Sequence, residues 1–314
     1  MTRIPVIFDT DPGQDDAVAI LFMLGAHEEI QPLALTAVAG NVGLHHTSRN
    51  ARIVCEWAGR PDIPVHAGAD RPLLVAPVTA EHVHGKTGLD GVPLHEPSMA
   101  LADEHAVDFM VRTLHEAAPG SITLCPVGPL TNIALALRRD PGCVRGIREI
   151  VLMGGAYFEA GNITPAAEFN IYADPHAAQI VLQCGAPITM LPLDVTHQAQ
   201  TTAERVSRWR ALPNRCGPLA ANIVTSLERY DVQKFGMHGA PMHDPCVIAY
   251  LLAPELFAGR RVNVEVETTS PLTLGATVVD WWGTSGRPAN VHWINQVDAD
   301  GLFARMTECL ARLP

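Results

Sequence analysis

Phe8-Asp9-Thr10-Asp11-Pro12-Gly13-Gln14-Asp15-Asp16-Ala17 sets four carboxylates within eight residues, between two apolar runs. The first run, residues 4–8, has the length of a short buried strand. The second, residues 15–26, carries the wide apolar pattern of a buried helix. Carboxylates this close repel one another unless protons or a cation compensate them. An all-oxygen set of this kind suits Ca2+ or Mg2+ and disfavours soft metals. The plainer alternative is a turn and a cap, with Asp11-Pro12-Gly13 turning the chain and Asp15 capping the helix.

The same alternation recurs outward from this stretch. Residues 33–39 are strand-like and end at Gly40-Asn41, and residues 46–58 space their apolar side chains by three and four, as in a helix stopped by Gly59. Residues 122–127, 149–153 and 188–193 are further strand candidates, with helices over 131–139 and 175–184. Such a pattern predicts an α/β fold, an open and mostly parallel central sheet flanked by helices. Asp9, Asp11, Asn41, Gly128, Gly154-Gly155 and Asp194 fall at strand ends. Ligands of open parallel sheets bind outside the carboxyl ends of the strands, so the active site is expected there. Residues 69–96 and 230–242 are expected to be long loops that wall it. Toward the C-terminus, β-branched runs at 262–268 and 273–279 suggest a closing hairpin or edge strands, and 300–313 a terminal helix.

With 314 residues the chain has room for one large or two ordinary domains. Its charged fraction of 18% lies below the usual value of about 25%, and its apolar fraction is 47%, which excludes global disorder. The net charge of -11 gives no electrostatic drive toward nucleic acid or an anionic membrane, and favours neutral or cationic partners. Seven cysteines, without a C-x-x-C pair and mostly in apolar contexts, are expected to be reduced, buried thiols of a cytoplasmic protein. The apolar run after Arg3 is too short for a signal peptide, and the longest apolar stretch, 17–24, falls far short of a membrane span.

Two further groups of residues carry chemistry. His243-Asp244-Pro245 precedes an apolar helical run, and Asp244 is a good N-cap before a proline at the first helical position. Met153-Gly154-Gly155, Gly161-Asn162 and Glu168-Phe169-Asn170 offer amides and a carboxylate suited to hydroxyl recognition, although either asparagine would also serve a turn.

Taken together, these pieces resemble the nucleoside hydrolase family, the inosine-uridine preferring N-ribohydrolases. The resemblance rests on the opening acidic stretch, Gly40-Asn41, Val83-His84-Gly85, Val127-Gly128-Pro129-Leu130-Thr131-Asn132, Met153-Gly154-Gly155, Gly161-Asn162, Ala167-Glu168-Phe169-Asn170 and His243-Asp244-Pro245. These motifs occur in family order over residues 9–245, so the resemblance implies one domain, 1–314. It implies a Ca2+ held by Asp11, Asp16, Asp244 and the main-chain carbonyl of Val127, with Asp11 also the general base toward the attacking water. It implies ribose hydroxyls bound by Asp15, Asn41, Asn162, Glu168 and Asn170, and Met153 lying against the sugar. His84 and His243 are the candidates for leaving-group activation, and bearing both suggests the inosine-uridine class. The base-contacting loops correspond to residues 86–94 and 228–242, where Tyr230, Phe235 and His238 could meet the base; Tyr230 is equally a core residue at a helix end. Family members are commonly dimers or tetramers, which implies a homo-oligomer here.

The chemistry is coherent on its own terms. An N-glycosidic bond breaks through an oxocarbenium-like centre that carboxylates stabilise, and a water acidified by a cation beside Asp11 is a nucleophile at neutral pH. Two other readings compete. A haloacid-dehalogenase-like phosphohydrolase also opens on a strand and Asp-x-Asp, with Asp9 as nucleophile and Mg2+ as the metal, but its pattern continues differently after the second aspartate. A nucleoside-binding protein without turnover would keep the same pocket.

Overall fold

The computed structural model describes residues 3–235 and 239–314, the side chains of 227–235 excepted. Nine strands form one sheet: β1 (Ile4–Thr10), β2 (Ile30–Ala37), β3 (Val65–Ala67), β4 (Ile122–Pro126), β5 (Ile147–Met153), β6 (Ile188–Leu191), β7 (Phe257–Val266), β8 (Thr277–Asp280) and β9 (Val291–Val297). Their order across the sheet is β3-β2-β1-β4-β5-β6-β9-β7-β8. From β3 to β9 every neighbour is parallel, while β7 pairs antiparallel with both β9 and β8. The expected open, mostly parallel α/β sheet is therefore present, with β1 near its centre.

The two faces of the sheet are covered because its strands are apolar on both sides. In β1, Val6 and Phe8 join one core and Ile7 the other; in β5, Val151 and Met153 join the first while Ile150 and Leu152 join the second. This period-two division over strands buried on both faces is what a parallel sheet requires. The helix Gln14–Gly25 is buried along its whole length, which explains why its sequence is apolar all round instead of striped.

Local structure departs from the sequence expectation in several places. The first helix is capped by Gly13, not Asp15; Asp16, at its third position, accepts the Gly13 amide at 3.0 Å. The segment read as a loop from 230 is helical as far as Phe235, in the helix Cys216–Phe235. The strand β3 and the helix Ala106–Glu116 have no counterpart in the sequence reading. The first is too short and too close to Pro61 and Pro64 to show a period. The C-terminal strands do close the sheet, but β9 inserts between β6 and the β7/β8 pair, a long-range pairing that local pattern does not carry.

The strand ends are tied together by Asn132, at the start of the helix Thr131–Arg139. Its Nδ2 donates to Asp9 Oδ1 at 2.8 Å and to the Ala37 carbonyl at 3.1 Å, and its Oδ1 accepts the Ala69 amide at 2.8 Å. One fully buried side chain thus joins β1, β2 and the loop after β3. Replacing Asn132 by Ala leaves the Ala69 amide without its acceptor, at roughly 1–3 kcal/mol, and removes one bond of about 1 kcal/mol each from Asp9 Oδ1 and the Ala37 carbonyl, which keep the Thr36 hydroxyl and the Gly68 amide. The Asn132→Ala variant is expected to lose about 2–4 kcal/mol of stability in urea unfolding; a loss below about 1 kcal/mol would show that the network adds little.

Candidate active site

The carboxyl ends of β1, β2, β4 and β5 open into one cavity. Asp15, Asn41, His84, Val127, Met153, Asn162, Glu168, Asn170, His243 and Asp244 all line it. Asp11 and Asp16 do not reach its surface; both are fully buried beneath it. His82 and His197 also line the cavity, together with Ala80, Val83, Ile163 and Phe169. The sequence reading missed both histidines. His197 follows β6 in the short helix-ended turn after Asp194, so the strand-end rule that found the other loops was the available signal.

The carboxylates are unequally satisfied. Asp16 Oδ1 accepts the Thr10 hydroxyl at 2.6 Å and the Asp11 amide at 3.2 Å, while its Oδ2 accepts the Gly13 amide at 3.0 Å and Asn41 Nδ2 at 3.1 Å. Asp11 Oδ2 accepts the Asn41 amide at 2.7 Å, but its Oδ1 is buried and has no hydrogen-bond partner among the described residues. A Cβ on Gly40 or Gly128 would overlap the Asp11 carboxylate, so both positions must be glycine for this packing. Asp244 sits at the N-cap of the helix Pro245–Leu252 without making a side-chain cap bond. Its carboxylate is turned to the cluster instead, where oxygens of Asp15, Asp16 and Asp244 lie within 4.8 Å of one another.

Burial and mutual repulsion shift these groups together. Burial first, then the charge of Asp16, raises Asp11 well above the usual carboxylate range, and burial with the charges of Asp15, Asp16 and Asp11 does the same to Asp244. Burial also raises Asp16 against its four donors. An unpaired buried oxygen beside three clustered carboxylates is a donor set made for a hard divalent cation. The clustered trio contains Asp15, whereas the resemblance implies Asp11; the unpaired Asp11 oxygen is the observation in favour of the latter.

The remaining wall suits a sugar. Glu168 Oε2 accepts the Gly155 amide at 3.0 Å and the Ile171 amide at 3.2 Å, and its Oε1 accepts the Asn170 amide at 2.9 Å. Burial nevertheless pushes its carboxyl up to about 7. Asn170 Nδ2 donates to the Val127 carbonyl at 2.7 Å, to the Met153 carbonyl at 3.3 Å and toward Met153 Sδ at 3.4 Å. The Val127 carbonyl thus faces the site with one of its two lone pairs engaged. Asn162 Oδ1 accepts the Phe169 amide at 2.9 Å, which fixes the segment that carries Glu168. His243 Nδ1 lies 2.7 Å from the Thr196 hydroxyl, and burial with the nearby His197 and His84 keeps its pKa well below the usual histidine value.

Two sequence expectations fall elsewhere. Asp194 does not line the cavity: its Oδ1 accepts the amides of Tyr157, Phe158 and Glu159, each at 3.0 Å, and its Oδ2 accepts Trp293 Nε1 at 2.8 Å, so it pins a loop. Asp9, the nucleophile of the phosphohydrolase alternative, is fully buried behind the site, where its Oδ1 accepts Thr36 Oγ1 at 2.6 Å and Asn132 Nδ2, and it does not line the cavity. The side chains of Tyr230 and Phe235, and His238, lie outside the described residues.

The chain that carries this carboxylate cluster at the end of a parallel sheet is an N-ribosyl hydrolase, as its family shows. The chain belongs to the inosine-uridine preferring nucleoside hydrolase family, whose profile matches residues 6–304, and it is a ribonucleoside hydrolase. It is 46% identical over 309 residues to the pyrimidine-specific ribonucleoside hydrolase RihA of Citrobacter koseri, covering 98% of each chain. To a Schizosaccharomyces pombe protein described only as uncharacterised it is 52% identical over 309 residues, covering 98% of this chain and 99% of that one. Among solved structures, a plant nucleoside hydrolase, PpNRh1, superposes with a TM-score of 0.91 at 31% identity over 99% of both chains. A purine-preferring ribonucleoside hydrolase from Gardnerella vaginalis superposes with a TM-score of 0.90 at 30% identity over 98% of both.

A cation held by these carboxylates would need them deprotonated, and without one, burial and mutual repulsion raise Asp11, Asp16 and Asp244 above the ordinary carboxylate range. Because their folded pKa values are raised, the stripped protein loses their contribution to stability as pH climbs through those values. A bound cation reverses that loss. The rise in Tm on adding Ca2+ to chelator-treated protein is therefore expected to grow between about pH 5 and pH 8, other groups cancelling in the difference. A rise that is the same at both pH values would remove the cluster from metal binding.

Proposed function

We infer that the protein hydrolyses the N-glycosidic bond of pyrimidine ribonucleosides to ribose and free base, acting as one α/β domain over residues 1–314. The observation that carries this reading is the convergence of Asp15, Asn41, Asn162, Glu168, Asn170 and Asp244 around one cavity, with the oxygens of Asp15, Asp16 and Asp244 clustered at it and Asp11 buried beneath. The choice of pyrimidine is supported by the name of the RihA relatives, at 46% identity over nearly the whole chain, against 30% for the purine-preferring neighbour.

In this reading Asp11, Asp16, Asp244 and the carbonyl of Val127 hold Ca2+. When bound, the cation offsets the carboxylate charge and lowers the pKa of water. Asp15, Asn41, Asn162, Glu168 and Asn170 bind the ribose hydroxyls and fix the glycosidic carbon, while Met153 packs against the sugar. Holding the sugar in this way converts binding energy into orientation. Asp11 takes the proton of the attacking water. The carboxylates around the anomeric carbon stabilise the positive charge that develops as the bond breaks. Of the two histidines implicated in leaving-group activation, His243 has the freer choice of tautomer, because the Thr196 hydroxyl both donates and accepts, and it takes the donor role toward the base. A cytoplasmic homo-oligomer, dimer or tetramer, that engages neither nucleic acid nor membrane completes the reading. The seven free cysteines support the compartment and the net charge of -11 the lack of nucleic-acid binding, while the oligomer is what the family resemblance implies.

Release of ribose from uridine, cytidine and inosine, followed by a reducing-sugar assay, tests the assignment. The kcat/KM values for uridine and cytidine should exceed that for inosine, and 2′-deoxyuridine should be a poor substrate because it lacks a hydroxyl the site holds. The reverse order would move the base preference to purines; no ribose from any of them would end the hydrolase assignment. Asp11→Asn should lower kcat by about 10³-fold or more, since base and metal ligand go together. Near-normal turnover in that variant would refute the role of Asp11.

A further inference from the structure

Gln14 stands inside the acidic stretch, 2% exposed, yet does not line the cavity. Its amide is fully engaged. Nε2 lies 3.3 Å from the carbonyl oxygens of His84 and of Asp90, and Oε1 lies 2.6 Å from His84 Nδ1. The orientation of this amide is decided by the two carbonyls, which only accept. Turning it over would set Oε1 against both of them and leave both without this donor. Oε1 therefore faces the imidazole, and an oxygen that only accepts, at 2.6 Å, requires a proton on Nδ1. A neutral ring then carries its lone pair on Nε2. Burial, with the nearby His82, pushes the His84 pKa down to about 4, so the ring is neutral around pH 7. Because Nδ1 is spent on Gln14 and His84 lines the cavity, Nε2 is the ring nitrogen left for a ligand.

We propose that Gln14 is a positioning residue that fixes His84 as the Nδ1–H tautomer, so that His84 meets the nucleoside as a hydrogen-bond acceptor and recognises a donor on it. His84 then selects substrate and does not supply the proton to the departing base. This rests on the reading that the cavity binds a ribonucleoside. The donor is either an N–H of the base or the 5′-hydroxyl of the sugar, which share this chemistry.

The tautomer is read directly from long-range proton-nitrogen correlation spectra of the Ca2+-loaded full chain labelled with ¹⁵N-histidine. The His84 signal is assigned by its loss in His84→Leu. Nδ1 protonated and Nε2 bare in the unaltered protein is the expected result, and a shift toward Nε2–H is expected in Gln14→Leu. An Nε2–H ring at His84 in the unaltered protein overturns the proposal, whether or not the variants fold. The acceptor role is read from kcat/KM for uridine, 3-methyluridine and 5′-deoxyuridine. One of the two analogues should be roughly tenfold worse than uridine in the unaltered enzyme and about equal to it in His84→Leu. Unchanged discrimination against both analogues in the variant overturns the role. Failure to release ribose from uridine at all would instead sink the function while leaving the tautomer measurement standing.

Discussion

Five carboxylates, those of Asp9, Asp11, Asp15, Asp16 and Asp244, share one buried strand end, none of them more than 5% exposed. Two unit charges about 4 Å apart in such surroundings repel by roughly 4 kcal/mol, so this concentration of charge must be met group by group. The surrounding structure does so from two sides. Thr36 and Asn132 answer only Oδ1 of Asp9, whose Oδ2 is buried without a partner among the described residues, and Thr10, Asn41 and the Gly13 amide answer Asp16. On the other side Asp11 Oδ1 is left unpaired, and Asp244 turns from its helix end toward the cluster. The protein's own donors are thus concentrated on Asp16, which anchors the turn, and the unmet demand falls on Asp9 Oδ2 behind the site and Asp11 Oδ1 beneath the cavity. Asp15 and Asp244, which line the cavity, separate the cluster from an expensive piece of core.

Much of this was legible in the sequence because it is local. The acidic stretch, the apolar runs beside it, the Gly40-Asn41 end of β2 and the Gly154-Gly155 end of β5 all lie within a few residues of the chemistry they position. The same holds for Glu168, whose carboxylate caps the helix Phe169–Ala173 in which Asn170 stands. What escaped was non-local or ambiguous. Nothing in residues 291–297 announces that they pair with β6 and β7 and not with β8, the strand before them in sequence. Asp194 and Asp15 have similar settings in the sequence, each beside a strand end, yet the first holds three loop amides and the second lines the cavity. Only the tertiary arrangement separates an aspartate that satisfies backbone from one that faces a ligand. His82 was lost for the same reason, since fourteen histidines in a chain offer no local mark of the few that converge, whereas His197 stands after β6 where the strand-end rule applied.

The fold leaves open which base is taken. Proteins whose names specify purine and pyrimidine nucleosides share this scaffold nearly end to end, with TM-scores near those of close structural kin for the first and 46% identity for the second. Base choice must therefore come from side chains on the wall and not from the sheet. The segment after His84 is bound to the acidic turn rather than hanging free: Gln14 reaches the carbonyls of His84 and Asp90, and Asn50 Nδ2 reaches those of Pro12 at 3.0 Å and Thr87 at 2.7 Å. Asp90 closes the loop on itself by accepting the Lys86 amide at 3.2 Å and the Thr87 amide at 3.3 Å. A wall held in this way presents a set hydrogen-bond pattern to whatever sits against it, at little ordering cost on binding. The same turn that carries the carboxylate cluster thereby also holds a histidine of the wall, and does so through the Gln14 amide and not through a carboxylate.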